Sequence, residues 1–85
     1  MNEHLKNLKK LGILRVARVN KIKVICYCDS GKIFEGTVIG LDNESRIVML
    51  SVDYSDIILD IDSIFAIGVN SEIEPIRIEF NQRVY

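Results

Sequence analysis

Between residues 22 and 67 apolar residues recur at every second position in short runs, and glycines punctuate the runs. Ile22, Val24, Cys26 and Cys28 alternate and end at Asp29-Ser30-Gly31. A second run holds Gly36 and closes on Gly40-Leu41-Asp42, a third passes through Ile47 to Leu50, and the stretch from Ile57 to Ile67 completes the set. A period of two places alternate side chains on opposite faces of a strand. Several such strands with polar turns every eight to twelve residues predict a β-barrel or sandwich. A chain of 85 residues is one domain, and at that size a small barrel is the form that fits. The expected fold is mainly β, a small, strongly bent antiparallel barrel over 22–80. A basic N-terminal helix and extension precede it over 1–21, and a tail follows over 81–85.

The local signals fill in this plan. Asn2 is placed to cap a short helix over 2–11, with Leu5, Leu8 and Leu11 along one side and Gly12 as its stop. Continuing the helix to Val19 spreads apolar residues around the wheel, so residues 13–19 read as extended, turning back at Asn20-Lys21. In the run from Lys32 to Leu41, Phe34, Gly36, Val38 and Gly40 share one side, which permits sharp curvature. Residues 42–45 and 53–56 read as turns. The run 46–52 is nearly all apolar, so both of its faces are expected to be covered. Asp62-Ser63 reads as a tight turn, 68–74 as a loop, and Ile76, Ile78 and Phe80 as the inward side of a half-buried strand.

The middle of the chain resembles the Sm-like family, which includes the Hfq-type RNA chaperones. Val24, Cys26, Gly31, Gly36, Val38 and Asp42 stand where the family's first motif has alternating apolar residues, two glycines and a closing aspartate. Ile47 to Leu50 stands for its third strand, and Ile57 to Ile67 for its second motif. The resemblance covers residues 22–67. It implies a helix followed by five bent strands, self-association through edge strands, and RNA binding in post-transcriptional regulation. Asn43, directly after Asp42, matches an asparagine of the family's RNA-binding loops. The second-motif turn holds Asp60, Asp62 and Ser63 where that family carries basic residues. An SH3-like or PRC-type barrel acting as a protein-interaction module is the alternative.

Charge separates along the chain in a way that the net of −1 conceals. Residues 1–23 hold seven cations (Lys6, Lys9, Lys10, Arg15, Arg18, Lys21 and Lys23) against Glu3 alone, a balance of +6. Residues 24–85 hold four cations against eleven acids, a balance of −7. The basic arm suits phosphate, so those seven residues, with Asn43 and a turn tyrosine, Tyr54, that could stack a base, form the candidate nucleic-acid surface. The competing reading has the basic arm packing on the acidic body of its own or a neighbouring subunit, or the acidic body filling the basic groove of a partner. Tyr27 and Phe34 read as core or interface aromatics.

Little else carries chemistry. His4 is isolated, and Cys26 and Cys28 lack the further ligands of a zinc site and read as small buried hydrophobes. Asp60 and Asp62 share a strand face and read as solvent-facing acids that guard an edge. The expectation is a non-enzyme without metal or cofactor. No apolar run reaches the ~18 residues of a membrane helix, and the polar start Met1-Asn2-Glu3-His4 is unlike a signal peptide, so a cytoplasmic setting is expected.

Overall fold

The computed structural model describes residues 2–69 and 76–80, with side chains described for 8–69 and 77–80. A helix, α1 (Asn2–Asn20), leads into strands β1 (Lys23–Cys28), β2 (Ile33–Asp42), β3 (Ile47–Val52) and β4 (Ser55–Asp60). A 3-10 turn (Ile61–Ser63), β5 (Ile64–Val69) and β6 (Ile76–Glu79) follow. All six strands belong to one antiparallel sheet in the order β4-β3-β2-β1-β5-β6.

The order corrects the expected barrel. A barrel requires its first and last strands in space to pair, whereas β4 and β6 stand at opposite ends of an open sheet. The content is mainly β with an N-terminal helix, as the alternation implied. The Sm-like resemblance and its SH3-like alternative both fall on the missing closure, and with them the functions that they implied. The alternation could not reveal this, because it fixes which side of a strand faces the core and says nothing of whether the ends of the sheet meet.

The second correction concerns the helix, which runs to Asn20 through Gly12 and through the residues 13–19 read as extended. Leu11, Leu14 and Ala17, spaced by three, enter the core at 6%, 0% and 3% exposure. Burying that row outweighs the roughly 1 kcal/mol by which an interior glycine weakens a helix. The actual stop is Lys21, which takes the left-handed conformation at φ 55°. The Ile22 N–H reaches back to the Ala17 carbonyl at 2.9 Å and the Lys21 N–H to that of Arg18 at 3.3 Å. This is a Schellman cap with lysine where glycine is usual.

The helix lies across the inner face of the sheet, chiefly over β2. Its buried row meets Val24, Cys26 and Cys28 of β1, Val38 of β2, Val48 and Leu50 of β3, and Ile64 and Ile67 of β5. Two glycines shape β2 and its approach. Gly31 sits at φ 92° in the β1–β2 turn, where its N–H bonds the Cys28 carbonyl. At Gly36 a Cβ would collide with the Ser51 carbonyl oxygen, so β2 and β3 approach there as only glycine allows. The tail 81–85 and most of the 68–74 loop, residues 70–74, lie outside the described residues.

Candidate interaction surface

The alternation that fills the inner face leaves a second set of side chains on the outer face. There, strand register aligns Asp42, Ile47 and Asp60 in one row, Gly40, Met49 and Ile58 in the next, and Lys23, Thr37, Ser51 and Asp56 in a third. A bulge between Val38 and Gly40 adds Ile39 to the second row. Ile58 is 61% exposed and Ile39 39%. The absence of a side chain at Gly40 opens a shallow hollow of about 280 Å³ bounded by Leu41, Asp42, Ile47 and Met49. The result is an apolar strip across β2, β3 and β4 with carboxylates on both sides of it.

Asp42 is held in place by the turn that follows it. Its Oδ1 accepts from the Glu44 N–H at 3.0 Å and the Ser45 N–H at 3.3 Å, and the bonds from Ser45 above all hold its carboxyl below the usual aspartate value. Asp60 is fixed similarly, accepting the Asp62 N–H at 3.1 Å as the cap of the 3-10 turn, while Asp62 pairs with Arg46 at 3.4 Å. Asp60 and Asp62, expected as a pair on one strand face, are divided between strand and turn.

The far half of the outer face, over β1, β5 and β6, is different. Arg77 lies 4.3 Å from the Tyr27 ring and 5.9 Å from that of Phe65, and contacts Glu79 at 3.8 Å. The guanidinium thus caps the aromatic pair and leaves it half-buried. Ile33, opposite Tyr27 in register, stays 60% exposed.

The residues expected to bind nucleic acid are not brought together. Lys10 is 2% exposed: its Nζ donates to the Ile61 carbonyl at 3.1 Å and lies 5.8 Å from the Phe80 ring. It is a core residue, so reversing its charge would test folding. Lys9, Arg15 and Arg18 are exposed on α1, and Lys21 and Lys23 follow at its end. The Lys6 side chain lies outside the described residues. Asn43 and Tyr54 occupy the turns at opposite ends of β3, about 17–20 Å apart for a six-residue strand. Tyr54 is fully exposed. The outer strip was the feature that sequence reasoning missed. Its signal was the nearly all-apolar run 46–52, taken to mean cover on both faces.

A second concavity, about 590 Å³ and almost wholly apolar, lies on the inner side between Ile13 and Val16 of α1 and Ile22, Val69, Ile78 and Phe80. Val69 and Phe80 adjoin segments outside the described side chains. Among the described residues no group of three or more His, Cys, Asp or Glu is placed to hold a metal, and no helix is long and apolar enough to cross a membrane. No protein-family model matches the chain, and no curated protein matches it.

Proposed function

We propose that this chain is a non-catalytic assembly domain that works by self-association, with the β2–β4 half of the outer face and its open β4 edge as the contact. The single observation that carries the reading is the apolar strip of Ile39, Met49 and Ile58 on a face that no second layer covers among the described residues. Apolar side chains grouped on an exposed face and rimmed by polar residues can mark a contact site. Open strand edges add main-chain donors and acceptors to it. The arrangement of charges supports a non-catalytic role, because the carboxylates of Asp42 and Asp60 are engaged in bracing turns. A cytoplasmic setting belongs to the same reading and is supported by Cys26 and Cys28, both buried as free thiols.

Sedimentation velocity over a wide concentration range tests this. The expected result is a mass that rises with concentration, and a rise that Ile58→Asp abolishes while the circular dichroism spectrum is unchanged. A mass fixed at the monomer throughout would overturn the proposal.

A further inference from the structure

We infer that the outer strip of one copy receives the outward side of α1 of a second copy, so that copies join head to tail. This rests on the reading of self-association and specifies its geometry.

The outward side of α1 is basic where the strip is acidic. Arg15 stands there beside Leu8 and Val19, which are 49% and 74% exposed, with Lys9 and Val16 on the flank that borders the inner concavity. Among the described residues, Lys9, Arg15, Arg18 and Lys21 make no ion pair within the chain. The strip matches in kind, with exposed Ile39 and Ile58 among Asp42, Asp56 and Asp60. Gly12 in the middle of the helix leaves its backbone bare, with nothing within 4 Å of where a Cβ would stand. From Leu8 to Val19 the helix spans about 17 Å, which matches the length of the six-residue strands beneath.

Topology decides between an internal and an external partner. α1 covers the inner face of the sheet and the strip occupies the outer face, so the two complementary surfaces of one molecule point away from each other. Only a second copy can bring them together. A symmetric contact between two outer strips would set Asp56 and Asp60 of one copy against the same carboxylates of the other, and like charges oppose that. Symmetric pairing of two β4 edges centred on Ile58 would likewise place Asp56 across from Asp60. The heterologous contact avoids both, and it leaves a free helix at one end and a free strip at the other for further copies.

The test uses two variants of the full chain, each blocking one surface. Arg15→Glu with Arg18→Glu blocks the helix, and Asp56→Lys with Ile58→Lys blocks the strip. All four positions are exposed, and circular dichroism checks folding. Should the helix variant unfold, Leu8→Ser with Val19→Ser replaces it. Each variant alone is expected to sediment as a monomer at concentrations where the unaltered chain associates. Mixed in equal amounts, the two are expected to form a one-to-one dimer and nothing larger, because one intact helix then meets one intact strip. Association of the unaltered chain is expected to weaken as salt is raised. If the unaltered chain associates and the helix variant still does so equally, the head-to-tail contact is overturned while self-association stands. If the unaltered chain is monomeric throughout, both fall together.

Discussion

The two faces of this sheet are made from neighbouring residues of the same strands, yet they obey opposite rules. On the inner face Cys26 is fully buried, and burial, reinforced by Cys28 nearby, pushes its thiol up to about 12. On the outer face Asp42 is fully open to water, and hydrogen bonds from its own turn pull its carboxyl down. The inner face opposes a thiolate at Cys26, while the outer face supports a carboxylate at Asp42. The difference comes from α1, which covers one side and leaves the other bare.

The sharpest way to break the comparison is to truncate one apolar residue on each face. Leu14 is fully buried under the sheet, so Leu14→Ala is expected to destabilise the chain by about 2–5 kcal/mol in a urea titration. Ile58→Ala, at dilution where copies are apart, is expected to shift stability by no more than about 0.5 kcal/mol. A loss at Ile58 as large as that at Leu14 would mean that the outer face is covered within the monomer.

Two glycines of β2 sharpen it further. Gly36→Ala meets the backbone of Ser51 and is expected to lose about 1–3 kcal/mol, through overpacking that no rotamer change relieves. Gly40→Ala, on the outer side, meets only the Met49 Cβ at an ordinary 3.6 Å, so thermal melts should show little change. Equal losses at the two glycines would contradict the close inner approach of β2 and β3.

The pH response should also divide by face. The folded value of Cys26 lies above the ordinary 9.0, so its contribution is complete below pH 9 and is lost as pH rises from there toward 12. By pH 10 the loss is about 1.4 kcal/mol, seen as a fall in melting temperature that Cys26→Val removes. Asp42 works in the other direction. Its folded value lies below the ordinary 3.8, so its contribution is present above that value and disappears as pH falls through the folded one. Asp42→Asn should therefore flatten the acid side of the profile and leave the alkaline side alone.

How far the sequence could be read follows from which physical facts are local. Strand identity and facing are local: alternation placed Val24, Cys26 and Cys28 on one side of β1, and all three are buried. Whether an open sheet closes is not local, since it depends on how far β4 and β6 are carried apart by twist and bending. The helix was misjudged for a related reason. Gly12 carries the usual stop signal and Lys21 does not, so the cap on Lys21 is visible only once the chain is folded. The candidate site was legible in charge alone. Seven cations were visible as a block, but the sequence could not show that Lys10 turns into the core while Arg15 turns out.

The smallest expected effect tests the helix itself. Gly12 sits inside α1 on its exposed side, with open space where a Cβ would stand, so Gly12→Ala meets no obstacle. Alanine narrows the unfolded ensemble and favours helix, which should raise stability by about 0.5–1 kcal/mol and the melting temperature by a few degrees. The inner face should not respond, because Leu11 and Ile13 on either side keep their places. If α1 ended at Gly12, the same substitution would remove a helix stop and stabilise nothing. The sign of one small shift thus separates a continuous helix to Asn20 from a short one. If α1 also docks on a second copy, the added methyl lies in that contact. Gly12→Ala would then strengthen the monomer while weakening association, two effects that sedimentation and melting separate in one sample.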